Sequence, residues 1–294
     1  MSNNGVCFFA YNTDQIDYVK LSLLPALYVK KFMKNNNTCL ITDEGDFAWL
    51  EKSQPQHVID AAFDEVIFTN VKHTNNIRTH HDSPWTKFDS QFKNSNKHLI
   101  NQYSPFDKTL LLDMDFFVRN NSFDYLFDSD VSVGMFKEAQ NLRTERPGLY
   151  EQYLNPVGIP MWWSTAIYFD KSPESKLFFD TWAHVAENYD FYKFLYNFPP
   201  HMFRTDYCVS IATHILNGMR DGDFVHEFLS NSMQYMDQRD DIVEVKTADD
   251  WIFLSNDIEK PWQDVLTRNV RQNLHVMNKR SIDRHFTSLL ESAL

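Results

Sequence analysis

The sequence predicts an α/β fold: a single domain with a mixed, mostly parallel central sheet flanked by helices. Two observations carry this. Short apolar runs of strand length alternate with longer stretches whose apolar residues recur at helical spacing, the pattern of strand–helix–strand units with right-handed crossovers. No internal repeat, low-complexity tract or Pro/Gly/Ser-rich linker interrupts the chain, so 1–294 reads as one unit with halves at 1–120 and 121–294.

Val6–Tyr11 is an apolar run placed as the first strand. Asn12, Thr13 and Asp14 then supply turn and capping chemistry, and Asp14–Met33 has helical spacing with Pro25 as a potential kink. Thr38–Thr42 is the second strand, followed by Asp43-Glu44-Gly45-Asp46 and a short helix; Glu65–Thr69 is the third. A polar segment leads to a helix expected near Lys87–Ile100 and then to the strand Lys108–Leu112. Val131–Phe136 and Thr165–Phe169 are further strands. Ser172-Pro173-Glu174 opens a helix to about Tyr189, Phe191–Phe203 reads as a packed lid or helix, and Asp206–Leu216 is a helix capped by Thr205 or Asp206. Asp237–Asp241 is expected as a solvated loop, followed by strands at Val243–Val245 and Trp251–Leu254 and a final helix from about Ile282.

Composition removes several function classes. Only 7 glycines are present, and neither GxGxxG nor GxxxxGK[ST] occurs, so the backbone loops that cradle phosphates in dehydrogenases and P-loop enzymes are missing. A metal would have to take over that task. The net charge of −12 argues against broad nucleic-acid binding. Cys7, Cys39 and Cys208 are odd in number and far apart, which reads as reduced core thiols in a cytoplasmic protein. No apolar run approaches a membrane span and Met1–Gly5 is no signal peptide.

The most informative stretch is Lys108–Asn120, KTLLLDMDFFVRN. Its Leu run reads as a strand buried on both faces. Along a strand, residues two apart point the same way, so Asp113 and Asp115 are expected to converge at the strand's end. Two carboxylates so placed repel unless a cation lies between them, and hard oxygen ligands favour Mg²⁺ or Mn²⁺. The alternative is an Asp-rich turn that only caps the next segment.

This segment resembles the Asp-x-Asp motif of GT-A fold glycosyltransferases, and Ser104-Pro105-Phe106-Asp107-Lys108-Thr109 is similar to its lead-in in phage and bacterial members. The Asn-, Phe- and Lys-rich, Gly-poor composition also looks like that of phage-encoded members. The resemblance implies a GT-A, Rossmann-related fold and a Mn²⁺ (or Mg²⁺) dependent glycosyltransferase. In that reading 1–120 is the nucleotide-binding half and 121–294 the acceptor-binding half. It further implies transfer from a nucleotide-sugar, a UDP-sugar above others, to a hydroxyl, in the cytoplasm (the host's if viral). The acceptor would be a hydroxymethylated base in phage DNA or a cell-envelope glycan.

Ligands in open α/β sheets bind beyond the carboxyl ends of the strands, so Tyr11, Asn12, Thr13 and Asp43 are candidates for base and ribose contacts, with Met114 beside the metal. A diphosphate calls for cationic donors, and the resemblance points to Arg78 and Lys87; His80 and His81 read as surface or acceptor-side residues. Imidazole is a good ligand for Mn²⁺. The resemblance makes His275 the third metal ligand and Lys279 a diphosphate partner, although the His-to-Lys spacing departs from the commonest form. Arg268, Arg271, Lys279, Arg280 and Arg284 suggest an electropositive strip. Paired Trp residues are costly to expose, so one of Trp162 and Trp163, with Ser164, is expected to face a sugar pocket. Asp206 either caps its helix or serves the acceptor hydroxyl as base or positioner. The rivals are a nucleotidyltransferase and, outside enzymes, a non-catalytic binding or assembly protein.

Overall fold

The computed structural model of the chain describes residues 3–71, 76–143, 152–155, 158–198, 203–229, 233–256 and 264–294. Its first strand, β1 (Asn4–Phe9), is buried along almost its whole length. The Asp17 carboxylate, rather than Thr13 or Asp14, caps helix α1 (Tyr18–Phe32) by accepting the Lys20 N–H. Thr13 instead turns the chain, its hydroxyl accepting the Ile16 N–H at 3.0 Å. β2 (Thr38–Thr42) follows, and Asp43 caps α2 (Glu44–Ser53) through the Asp46 N–H. Then come α3 (Gln56–Ala62) and β3 (Glu65–Phe68).

The expected helix near Lys87–Ile100 does not form as such. Lys87–Gln91 is a strand, β5, paired antiparallel with β4 (Ile77–His81), and a 3₁₀ turn (Asn94–Leu99) leads into the four-residue α4 (Ile100–Tyr103). Polar residues on both faces of these strands hide the period-2 signal that would mark them. β6 (Lys108–Leu112) is buried as its sequence requires. The short β7 (Phe116–Phe117), α5 (Asp124–Phe127), β8 (Val133–Phe136) and β9 (Gln140–Asn141) follow.

β10 (Trp163–Asp170) precedes α6 (Pro173–Glu187), which Ser172 caps through the Ser175 N–H. Next are α7 (Tyr189–Tyr196) and α8 (Thr205–Leu216); of the aromatic block expected as a lid, 199–202 lie outside the described residues. β11 (His226–Glu227) and β12 (Met233–Met236) come before a meander of β13 (Asp241–Thr247), β14 (Asp250–Ser255) and β15 (Val265–Val270). β16 (Asn273–Val276), α9 (Lys279–Arg284) and α10 (Phe286–Ala293) end the chain. Asp240 does not belong to a solvated loop: it is buried and accepts the Asn256 N–H at 2.8 Å.

The central sheet has the order β11-β8-β10-β6-β1-β2-β3. β6, β1, β2 and β3 are mutually parallel, β11 is parallel to β8, and only β10 runs against its neighbours. This is the mixed, mostly parallel sheet the sequence predicts. A second sheet, β7-β16-β12-β9, stands beyond the carboxyl end of β6. Arg119 pins it to the meander. The guanidinium is 1% exposed and lies over the Trp251 ring, with Nε donating to Ala248 O at 3.2 Å and Nη1 to the Asn269 side chain. Cys7, Cys39 and Cys208 are free and buried. Among the described residues no helix is long and apolar enough to cross a membrane.

Candidate active site

Strand β6 delivers Asp113 to its carboxyl end, where the Asp113 N–H still bonds to Thr165 O of β10 at 2.9 Å. The chain then turns sharply, with the Phe116 N–H donating to Asp113 O at 3.0 Å. The two aspartates therefore converge through a turn, not through the alternation of one extended strand. After the turn β7 pairs with β16 in the register His275↔Phe116, and the Val276 N–H donates to Asp115 O at 2.8 Å. That pairing sets His275 against Asp115, Nε2 to Oδ2 at 3.2 Å. One ligand atom from each of Asp113, Asp115 and His275 lies within 4.8 Å of the others.

Two lysines meet these carboxylates. Lys97, only 2% exposed, donates from Nζ to Asp113 Oδ1 at 2.6 Å and to Ser164 O at 2.6 Å. Lys279 forms an ion pair with Asp115 Oδ2 and donates to Met277 O at 3.0 Å. Burial acts to raise the Asp115 carboxyl, but Lys279 and His275 outweigh it and hold the group well below the usual carboxylate range. The residues fit a divalent cation: two carboxylates and an imidazole are a suitable donor set for Mn²⁺. The His275 Nδ1 is moreover buried with no hydrogen-bond partner among the described residues.

The cluster opens into a cleft of about 380 Å³ beyond the carboxyl ends of β1 and β6, within the range of small-molecule sites, roughly 300–1,000 Å³. Tyr11, Met114, Arg78, Trp163, Ser164 and Asp206 line it, as do the lysines. The Tyr11 hydroxyl is held by Thr69 at 2.5 Å. Arg78 lies over the Phe92 ring, 5.1 Å from guanidinium carbon to centroid. Asp206 Oδ1 accepts the Ser164 N–H at 2.9 Å and the Ser164 hydroxyl at 2.8 Å, while Oδ2 faces Arg204 at 3.3 Å. Burial opposes ionisation of Asp206, yet Arg204 and the Ser164 bonds win and hold the carboxyl below its usual range.

Other sequence candidates stand outside the cleft wall. Asn12 Oδ1 accepts the Val19 N–H at 2.9 Å, Thr13 accepts the Ser90 hydroxyl at 2.8 Å, and Asp43 caps α2. Lys87 is exposed at the start of β5. Trp162 packs on the far side from Trp163, beneath Lys137 (5.8 Å from ammonium to ring), because neighbouring residues entering β10 point opposite ways. Trp163 faces Tyr235 with centroids 5.4 Å apart. Three arginines of the basic tail are paired with acids, while Arg280 donates to Gln15 and lies over the Phe88 ring. Arg268 pairs with Asp250, Arg271 with Asp249, and Arg284 with both Asp82 and Asp241.

Sequence reasoning missed Lys97 and Tyr18, both on the cleft wall. Of the two readings offered for His80, surface or acceptor side, its burial on the same wall removes the first. His80 is 5% exposed and stacked on Phe88 at 5.4 Å, and burial, with Lys279 and Arg78 adding, pushes it down to about 3. The signal for Lys97 was weak: it is one of two lysines, with Lys93, in the polar segment between β5 and β6.

No family model matches the chain, and no curated protein matches it. Among solved structures it is similar to the galactosyltransferase LgtC in complex with donor and acceptor sugar analogs. That likeness has TM-score 0.51 and 13% identity, over 98% of this chain and 95% of that one. It is also similar to mouse xyloside xylosyltransferase 1 (TM-score 0.47, 11% identity, 79% of this chain and 87% of that one). A third is the glycosyltransferase GlyE of Streptococcus pneumoniae TIGR4 (TM-score 0.43, 12% identity, 79% of this chain), of whose length it spans 46%. The near end-to-end likeness to LgtC shows the fold: this chain has the GT-A architecture.

Proposed function

We propose that the chain is a metal-dependent glycosyltransferase that moves a sugar from a UDP-sugar to a hydroxyl acceptor. The observation that carries this reading is the meeting of Asp113, Asp115 and His275 with Lys279 in a cleft beyond the parallel strands. A Mn²⁺ ion held by those three residues would neutralise charge on the departing nucleoside diphosphate. Lys279 and Arg78 are the cations that would receive phosphate oxygens. Trp163 and Tyr235 offer aromatic faces to a sugar ring. Asp206, kept ionised by Arg204 and Ser164, is a weak base by that fact; its role in this reading is to orient a sugar or acceptor hydroxyl. With three of the tail arginines paired to acids, the feature that favoured DNA is weakened, and a glycan hydroxyl is the acceptor class this reading favours.

The test is thermal melting with Mn²⁺ and a panel of nucleotide-sugars. The protein should be stabilised by one donor only when Mn²⁺ is present. Asp115→Asn should abolish that joint stabilisation and any donor turnover. Undiminished turnover in this variant, or stabilisation by no donor at all, would refute the assignment.

A further inference from the structure

The two lysines that meet the metal-binding carboxylates are held in different ways. Lys97 is sealed: its ammonium bridges Asp113 Oδ1 and Ser164 O, and its side chain is 3% exposed. Lys279 lies nearer the surface, at 14% exposed, and beyond Asp115 it bonds, among the described residues, only the carbonyl of Met277, two residues away. Its ammonium and His275 Nε2 converge on the same oxygen, Asp115 Oδ2. Asp115 itself is 2% exposed, so water cannot stand in for a lost cationic partner. A carboxylate so placed keeps a positive partner at all times, because a buried unpaired charge is far more costly than a paired one.

We infer that Lys279 is an exchangeable counter-ion, occupying Asp115 until a divalent cation and the donor's diphosphate arrive together. This rests on the metal-site reading above. An ammonium and a divalent cation sharing one carboxylate oxygen repel each other. Lys279 must therefore release Asp115 for the carboxylate to accept the metal. The freed ammonium is then left without its carboxylate in a partly buried cleft, and a phosphate oxygen relieves it. Each ligand thus removes part of the other's penalty, so metal and nucleotide bind with positive coupling, reciprocal by thermodynamic necessity. Lys97 does not take part in the exchange, because the Ser164 carbonyl anchors it independently of Asp113.

The experiment titrates Mn²⁺ into the full chain with and without UDP, reading free Mn²⁺ by its paramagnetic resonance signal, for the wild type, Lys279→Met and Lys279→Arg. Wild type should bind Mn²⁺ alone weakly and at least tenfold more tightly with UDP. Lys279→Met should bind Mn²⁺ alone at least tenfold more tightly than wild type, with the gain from UDP largely lost. Lys279→Arg, which keeps the charge, should behave as wild type. Should Lys279→Met fail to show a native melting transition, Lys279→Gln is read in its place by the same criterion. The inference is overturned if neutral variants bind Mn²⁺ alone no better than wild type, or if the Arg variant matches them. If no protein binds Mn²⁺ even with UDP, the metal-site reading itself fails and takes the inference with it; equal Mn²⁺ binding by all sinks the exchange alone.

Discussion

Replacing Lys97 by Met isolates the sealed charge beside the Asp113 and Asp115 carboxylates. The two side chains are similar in length, so the change removes an ammonium and little volume. Lost with it are the contacts to Asp113 and Ser164 O, both at 2.6 Å. A hydrogen bond to a charged partner contributes about 1.5–3 kcal/mol, and a buried carbonyl left without a donor costs about 1–3 kcal/mol. Two effects oppose these losses. The Asp113 side chain is 21% exposed, so water replaces part of its lost partner. Burying an ammonium is itself unfavourable by several kcal/mol, a penalty Met escapes. The balance is a loss of about 2 kcal/mol, below the roughly 3–5 kcal/mol seen when a fully buried pair loses one member. For a chain of this size that lowers the melting temperature by about 3 °C. Calorimetry and urea unfolding of the protein without metal measure it. A Lys97→Met variant that melts at or above the wild-type temperature would refute the reasoning, since desolvation would then dominate the pair.

Two further outcomes follow from other parts of the molecule. Burial, with Asp237 adding, raises the Asp240 carboxyl from 3.8 to about 6. Between those pH values the folded chain holds a proton that the unfolded chain has released, so this group's contribution to stability is fully present below about pH 4. It is lost as the pH rises through about 6, a change of about 3 kcal/mol at most. Urea unfolding at pH 4.5 and 7.5 should show this slope flattened in Asp240→Asn; an identical slope in both proteins would exclude Asp240 as its source. In β8, a Cβ on Gly134 would sit 2.5 Å from Cε1 of the buried Phe228. Gly134→Ala should therefore destabilise by about 1–3 kcal/mol, and Gly134→Ala/Phe228→Leu should recover part of the loss; no loss in the single variant would show that the ring moves freely.

The strands of the parallel sheet were legible because burial on both faces leaves continuous apolar runs, as at Phe8–Phe9 and Leu110–Leu112. The β4–β5 hairpin was not, since one of its faces looks into a polar cleft and its sequence, IRTHH paired with KFDSQ, carries no apolar alternation. The Asp113-Met114-Asp115 cluster was readable as a pair of acids, but the turn that joins them depends on β7 pairing with a strand near the far end of the chain. Lys97 drew no notice because its partner, the Ser164 carbonyl, is 67 residues away. The tail arginines misled for the same reason. Arg268 and Arg271 find Asp250 and Asp249 only after β14 and β15 have zipped together.

His275 reaches Asp115 across 160 residues of sequence, so the strand that carries it is made well after the one that leads into the two aspartates. A nascent chain thus presents both aspartates before His275 has been made. The Asp115–His275 contact must wait for β16 to dock, and a contact of such long sequence separation forms slowly. Under the proposed metal-site reading, a half-built chain is thereby kept from capturing an ion early, and joint binding of manganese and nucleotide would report that β16 has docked.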